Sequence, residues 1–188
     1  MILVTGGARS GKSAFAENLL QKENSVLYIA TSIVFDKEME QRVKLHRQRR
    51  KKEWETLEAY RNVGDKILLL NREYNGIMLD CITIMISNLL MEAAPNFTDE
   101  EYNNLDYRTE ELKILDEMKK LIEAVDKLEN KYNTKAVFVT NEVGAGIVPE
   151  NKLSREFRDI AGKVNQYLAS EAKEVYLVVS GLPIKIKG

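Results

Sequence analysis

The stretch Gly6-Gly7-Ala8-Arg9-Ser10-Gly11-Lys12-Ser13 matches the phosphate-loop pattern G-x-x-x-x-G-K-[ST] at every position. A short apolar run, residues 2–5, precedes it, and a stretch with helical spacing, residues 12–21, follows it. Glycines let backbone N–H groups point at phosphate oxygens, and the N-terminus of the following helix adds positive potential. The pattern predicts that all eight residues bind a nucleotide. The alternative is a glycine turn in a Rossmann-like fold that binds none.

Three side chains in or near this loop predict phosphate and metal chemistry. Lys12 is expected to reach the transferable phosphates and act in catalysis, and Ser13 to bind Mg²⁺ through its hydroxyl. Asp80 closes an apolar run, residues 77–80, where such a loop needs an acid for the nucleotide's metal ion. The other interpretation of Asp80 is a cap for the next helix. Cys81 is interpreted as a small buried hydrophobe rather than a nucleophile.

Length and composition limit the function classes. The chain has 188 residues, 44% hydrophobic and 30% charged, which suits one globular domain over residues 1–188. The 28 Lys+Arg balance the 29 Asp+Glu, so a global polyanion-binding field is excluded, although a local basic patch is not. One cysteine and one histidine exclude an internal disulfide and an H-E-x-x-H metalloprotease. No membrane-spanning run or signal peptide is recognised, so a cytoplasmic location is expected.

Short apolar runs alternate with helical patterns along the chain. Strands are predicted at residues 2–5, 26–30, 54–57, 76–80, 135–140 and 174–180. Helices are predicted at residues 12–21, 36–52, 63–72, 82–91, 108–131 and 152–170, with a surface loop at 93–107. The apolar stripe of the long helix is predicted to be Leu112, Leu115, Met118, Leu121 and Ile122. The alternation indicates a single-domain, three-layer α/β fold of the phosphate-loop NTPase type, RecA-like, with a mostly parallel sheet.

A basic stretch surrounds the only histidine. Residues 42–52 hold seven basic side chains and no acidic one. The stretch is a solvated helix face, a polyphosphate site or a nucleic-acid patch, and the last has weak support because no aromatic residue is interleaved. His46 either packs beside Val43 or serves as a nucleophile, because neutral imidazole can attack phosphorus and the nearby cations disfavour imidazolium.

Further stretches carry a resemblance to a known family. They are residues 2–13, Tyr28-Ile-Ala-Thr-Ser32, Leu79-Asp-Cys-Ile-Thr83 with Ser87-Asn-Leu-Leu90, residues 140–151, residues 155–165 and residues 174–183. Together they resemble the bifunctional adenosylcobinamide kinase / adenosylcobinamide-phosphate guanylyltransferase family from end to end. Residues 42–50 and 54–58 resemble its histidine motif, R-[IV]-x-x-H-[RK]-x-x-R-P followed by W-x-T-x-E. Lys51 stands where the family usually has proline.

The resemblance implies two reactions of cobalamin biosynthesis. ATP or GTP phosphorylates adenosylcobinamide, and His46 then takes GMP from GTP and passes it to adenosylcobinamide phosphate, giving adenosylcobinamide-GDP. The resemblance implies Mg²⁺, small-molecule substrates without nucleic acid, and a homo-oligomer, typically a trimer. Besides the loop and Asp80, the nucleotide-binding residues that it implies are Ala30, Thr31, Ser32, Arg47, Gln48, Arg49, Arg50 and Glu58. The Glu58 carboxylate suits guanine, since it can accept hydrogen bonds from N1–H and the 2-amino group.

Several questions stay open at the level of sequence. Glu142 and Glu150 flank a glycine turn, and either could orient the substrate hydroxyl or water, or only shape the loop. Arg155 and Arg158 could contact a corrinoid phosphate or pair with Asp159. Two other functions also remain: a kinase of a different small molecule with an inert histidine, and a nucleotide-dependent switch or nucleic-acid-associated ATPase.

Overall fold

A computed structural model describes residues 1–33, 51, 53–96 and 98–188. The strands of this part of the chain are β1 (Ile2–Gly6), β2 (Val26–Ala30), β3 (Glu55–Glu58), β4 (Gly76–Asp80), β5 (Lys135–Val139), β6 (Glu174–Val179) and β7 (Leu182–Lys187). They form one sheet in the order β3-β2-β4-β5-β1-β6-β7. All neighbouring strands are parallel except β6 and β7. The mostly parallel sheet is therefore confirmed.

Helices cover both faces of the sheet. In the described residues they are α1 (Lys12–Leu19), α2 (Val63–Leu69), α3 (Ile82–Glu92), α4 (Asp99–Asn104), α5 (Tyr107–Tyr132) and α6 (Lys152–Glu171). Side chains alternate along a strand, so Met78 packs in one core with Ala16 of α1, while Ile77 and Leu79 pack in the other with Met118 of α5. This arrangement confirms the three-layer α/β fold. No helix of the described part has both the length and the apolarity to cross a membrane.

One strand, β5, separates β1 from β4. β1 leads into the glycine-rich loop, and β4 ends at Asp80. The carboxyl ends of β1, β5 and β4 therefore lie side by side at one edge of the sheet. This order agrees with the RecA-like arrangement expected from the sequence.

The predicted elements agree with the structure to within a few residues, with three exceptions. Residues 93–107 are not a simple loop, because α4 begins after Thr98, whose hydroxyl accepts a hydrogen bond from Glu101 N at 3.2 Å. Thr98 and Glu101 have the spacing of a capping box, a local signal that the Asn- and Asp-rich composition concealed. The helix predicted at residues 36–52 lies outside the described residues, apart from Lys51.

The other two exceptions are a residue of the predicted apolar stripe that is exposed and a last strand that was not predicted. Leu112 is 62% exposed, so its place in the buried stripe of α5 is wrong, and Ile114, 2% exposed, belongs there instead. β6 is not the last strand, because the chain turns at Ser180 and Gly181 into antiparallel β7. Both turn residues have positive φ, 52° and 82°, as in a tight hairpin.

Candidate functional site

The glycine-rich loop lies between β1 and α1, and its shape leaves no room for side chains at two positions. A Cβ on Gly6 would lie 2.5 Å from Val178 O. Gly11, the N-cap of α1, has φ 93°, and a Cβ there would lie 3.1 Å from Gly181 Cα. The carbonyl of Ser10 accepts a hydrogen bond from Gly181 N at 2.8 Å. The β6–β7 turn thus supports the loop from behind.

Lys12 lies across the loop, with its ammonium donating to Gly7 O at 3.0 Å. Burial lowers the pKa of Lys12, and the neighbouring Cys81 and Asp80 offset part of that shift. Gly7, Ala8 and Arg9 are exposed, so the outer wall of the loop faces solvent. A cation on the inner side of such a loop is positioned to contact phosphates that enter from outside.

Asp80 ends β4 and carries a fixed carboxylate. Its Oδ2 accepts a hydrogen bond from the Tyr28 hydroxyl at 2.9 Å. The N-cap of α3 is Cys81, without a side-chain capping bond, so the interpretation of Asp80 as a helix cap is wrong. Ser13 is half-buried in the first turn of α1. A hydroxyl and a carboxylate are the oxygen donors that Mg²⁺ prefers, so these residues fit the ion.

Buried hydrogen bonds tie the end of β2 to the end of β4. Thr31 Oγ1 donates to Cys81 O at 2.8 Å and accepts from Cys81 N at 2.9 Å. Asn88 Nδ2 of α3 donates to Thr31 O at 2.7 Å. Thr31 is 1% exposed, so its hydroxyl is occupied in holding the backbone beside Asp80. Its contact with a nucleotide stays a prediction.

A second set of hydrogen bonds, partly buried, fixes the end of β5, where sequence reasoning left Thr140 and Asn141 out of the site. Thr83 Oγ1 accepts from Asn141 N at 3.1 Å and from Asn141 Nδ2 at 2.6 Å. Thr140 Oγ1 donates to Asn165 Oδ1 at 2.7 Å, and Asn165 Nδ2 donates to Asn141 O at 3.1 Å. The polar run of residues 140–142, directly after an apolar strand, was the available signal.

The surroundings of Cys81, Arg155 and Arg158 favour structural roles for these residues. Burial first, and then the neighbouring Asp80, raises the pKa of the Cys81 thiol to about 11, which keeps it protonated near neutral pH. This supports its interpretation as a buried hydrophobe. Arg158 pairs with Asp159 at 3.1 Å, one of the two predicted alternatives. Arg155 donates to the backbone carbonyls of Pro149 and Glu150.

Glu58, the residue implied for guanine, lies on the outermost strand of the sheet, next to the strand that ends at Ala30. Ala30 and Glu58 are paired in register at the ends of β2 and β3, where Ala30 is buried and Glu58 is exposed. β3 lies four strand spacings from β1, and at ~4.8 Å each this is about 19 Å. Ser32 is half-buried just after β2. The described site residues thus extend from the loop, past Asp80 and its register partner Ala30, to Glu58 on the outermost strand.

The implied nucleophile stands in the chain between two of these residues, Ser32 and Glu58. His46, Arg47, Gln48, Arg49 and Arg50 fall outside the described residues.

A phosphate loop between a parallel strand and a helix, with an inward lysine and a strand-end acid, defines a phosphate-loop nucleotide-binding protein. A family model described as cobinamide kinase / cobinamide phosphate guanyltransferase matches residues 2–186. The chain belongs to this family of enzymes, as the resemblance in its sequence indicated.

Three curated relatives support this membership. The chain is 47% identical over 187 residues to the bifunctional adenosylcobalamin biosynthesis protein CobU of Escherichia coli (strain K12), covering 100% of this chain and 99% of that protein. It is 49% identical to the protein of that name from Salmonella typhimurium, with the same coverage. It is 34% identical to the bifunctional adenosylcobalamin biosynthesis protein CobP of Pseudomonas aeruginosa, covering 99% of this chain and 96% of that protein.

Proposed function

We propose that this protein phosphorylates adenosylcobinamide with ATP or GTP, and then transfers GMP from GTP to the product to form adenosylcobinamide-GDP. The observation that carries the proposal is the family match over residues 2–186. The fully formed phosphate loop at residues 6–13 supports it, because both reactions need a site that holds a nucleoside triphosphate.

In the first reaction, the acceptor hydroxyl attacks the γ-phosphorus and a nucleoside diphosphate leaves. The chain contributes mainly position and charge. The amides of the loop and the ammonium of Lys12 hold the phosphates. Ser13 and Asp80 would hold Mg²⁺, which neutralises phosphate charge when it is bound.

In the second reaction, His46 attacks the α-phosphorus of GTP, and the bond to pyrophosphate breaks. The phosphate of adenosylcobinamide phosphate then displaces the imidazole, which leaves readily once it is protonated. Arg47, Gln48, Arg49 and Arg50 bind GTP around the histidine in this proposal. Ala30, Thr31, Ser32 and Glu58 form the nucleoside side, with the Glu58 carboxylate accepting from guanine.

Covalent labelling tests the second half. The pure protein and its His46→Ala variant are incubated with Mg²⁺ and α-labelled GTP, then denatured and washed with acid or base. We expect an acid-labile, base-stable label on the wild-type protein alone. Formation of phosphorylated adenosylcobinamide by the variant shows that it is folded. Absence of label on wild-type protein that demonstrably binds GTP would contradict the guanylyl-histidine step.

Domain organisation, cellular location and oligomeric state are also part of the proposed function. One domain, residues 1–188, carries both activities in the cytoplasm, where its nucleotide substrates are found. The protein is a homo-oligomer, a trimer by resemblance. The exposed apolar side chains of β7, Leu182 at 70% and Ile186 at 60%, support association. Sedimentation velocity tests this, and a monomer at all concentrations would contradict it.

A further inference from the structure

The segment after β5 lies between the two parts of the phosphate site. β5 runs between β1, which leads into the Lys12 loop, and β4, which ends at Asp80. Ligands of open α/β sheets bind beyond the carboxyl ends of the strands. Residues that directly follow β5 therefore lie at the carboxyl end of the sheet, between the Lys12 loop and Asp80.

Glu142 is anchored at this position by its own backbone. Its N–H donates to Gly6 O at 3.0 Å, which fastens it to the first residue of the loop motif. Two residues earlier, Thr140 N donates to Val4 O at 2.9 Å, so the segment continues to follow β1 beyond the end of β5. The location of Glu142 is thus fixed relative to the phosphate loop by main-chain bonds, which substitution of the side chain leaves in place.

The carboxylate of Glu142 is also held in place, while the side chain remains exposed. Gly144 N donates to Oε1 at 2.6 Å. The other acid of the site, Asp80, already bonds Tyr28 and fits the metal ion. In the exposed Glu142 carboxylate, Oε1 accepts from Gly144 and Oε2 has no hydrogen bond with the described residues, so Oε2 is available to an acceptor hydroxyl. Gly144 also lines an open groove of about 620 Å³ along α6.

Glu150 makes none of the hydrogen bonds that hold Glu142. Its side chain is exposed, without a hydrogen bond or ion pair to the described part of the chain, and only its carbonyl is bonded, to Arg155. It directly precedes Asn151, the N-cap of α6. The structure thus separates two glutamates that the sequence left equivalent.

We propose that Glu142 is the general base of the phosphoryl-transfer step, a role that rests on the proposed function. The acceptor oxygen forms a bond to the γ-phosphorus, and the bond from that phosphorus to the β–γ bridging oxygen breaks. The electron pair leaves with the nucleoside diphosphate, and the hydroxyl proton passes to the Glu142 carboxylate. A carboxylate accepts hydrogen bonds only, so it also orients that hydroxyl towards phosphorus.

The test compares Glu142→Gln with Glu150→Gln. Glutamine keeps an oxygen that can accept from Gly144 N, so the turn is retained while the base is lost. Each variant is assayed for phosphorylation of adenosylcobinamide by γ-labelled ATP or GTP, and for labelling by α-labelled GTP. We expect Glu142→Gln to lower kcat of phosphorylation by about 10²-fold or more, with little change in KM. Labelling by α-labelled GTP is expected to stay within about twofold for both variants, as is phosphorylation by Glu150→Gln.

The outcomes are distinguishable. A Glu142→Gln kcat within about threefold of wild type would overturn the inference while leaving the proposed function intact. A parallel loss of labelling and phosphorylation would also overturn it, because that result indicates a structural role. Loss of the acidic limb of the wild-type kcat–pH profile in Glu142→Gln supports the base. Absence of phosphorylation by the wild-type protein would refute the proposed function itself.

Discussion

The two ends of the sheet use their polar groups in different ways. At the amino end, those groups bond to one another: Thr134 Oγ1 donates to Tyr74 O at 2.7 Å, and Lys135 Nζ donates to Leu19 O at 2.8 Å. At the carboxyl end, two buried hydroxyls at the phosphate loop, Thr5 Oγ1 and Ser10 Oγ, have no hydrogen-bond partner in the described part of the chain.

This difference predicts which substitutions affect the stability of the protein and which affect its activity. Buried polar groups normally have partners, because leaving one unpaired costs about 1–3 kcal/mol. At the amino end, Thr134 and Lys135 meet that requirement within the fold, while Trp54 Nε1, just before β3, has no partner in the described residues. At the carboxyl end, Thr31 and Thr83 are paired, so the unpaired hydroxyls there are confined to Thr5 and Ser10, at the phosphate loop. Substitutions at the amino end should therefore change the free energy of unfolding, and substitutions at the carboxyl end should change activity.

The largest effect is expected at the carboxyl end, from Lys12→Met. Methionine fills much of the same space without the charge that contacts the phosphates, so phosphorylation should fall by about 10³-fold. Stability should hold or increase, because burial disfavours the ammonium, as the lowered pKa of Lys12 indicates. Initial rates and urea denaturation measure the two effects. Lys22→Met, at an exposed lysine just after α1, is the control. A Lys12→Met rate within tenfold of wild type would contradict the assignment of activity to the carboxyl end of the sheet.

The next effect is expected at the amino end, from Glu129→Gln. Glu129, 11% exposed, pairs with the Met1 α-amino group at 2.9 Å and with Lys173 at 2.8 Å. Removing its charge leaves the buried ammonium without a counter-ion. The free energy of unfolding should therefore fall by about 2 kcal/mol at pH 7, less than for a fully buried pair because Lys173 is exposed. Urea denaturation measures this, with Glu123→Gln, exposed on the same helix, as control.

This stabilisation should depend on pH. Burial opposes ionisation of Glu129, but its bonds to Lys173 and the α-amino group prevail and lower its pKa below the ordinary 4.5. The wild-type advantage should thus be complete above pH 4.5 and disappear as the pH falls through the lowered pKa. Activity at pH 7 should be unchanged. An advantage that persists undiminished well below that pKa would show that charge is not its source.

A smaller effect is expected at the far edge of the sheet, from Glu58→Gln. An amide oxygen accepts only part of the guanine pattern, so KM for GTP in the labelling reaction should rise about tenfold. ATP-dependent phosphorylation should be unchanged. Glu53→Gln, at an exposed glutamate just before β3, is the control. Equal losses with ATP and GTP would show that this edge does not read the base.

The smallest effect is expected from Tyr28→Phe. Loss of the hydroxyl frees the Asp80 carboxylate to rotate, so the Mg²⁺ concentration for half-maximal phosphorylation should rise about threefold to fivefold. A magnesium titration of the two proteins measures this, with Tyr60→Phe, half-buried after β3, as control. If the Mg²⁺ requirement is unchanged, Tyr28 serves packing alone.

Local patterns in the sequence were sufficient for much of this structure. The phosphate loop, Asp80 and most strands follow from glycines, charges and apolar runs within a few residues of each other. The hydrogen bonds of Thr31 with Cys81 and of Asn141 with Thr83 could not be predicted in this way, because the partners are 50 and 58 residues apart in the chain. β7 was missed because its residues, all exposed on a sheet edge, lack the apolar signature of a buried strand. Glu142 and Glu150 became distinguishable through the hydrogen bonds of Glu142 with Gly6 and Gly144, which the sequence does not show.

The contact between the phosphate loop and Gly181 sets an order of events during synthesis. The turn that supports the loop is translated about 170 residues after the loop itself. The loop acquires this support only when β1 and β6, which are just as far apart in the chain, have paired. A nascent chain that lacks β6 therefore carries the complete nucleotide motif without the finished loop. Nucleotide binding by such chains of increasing length would report when the sheet closes.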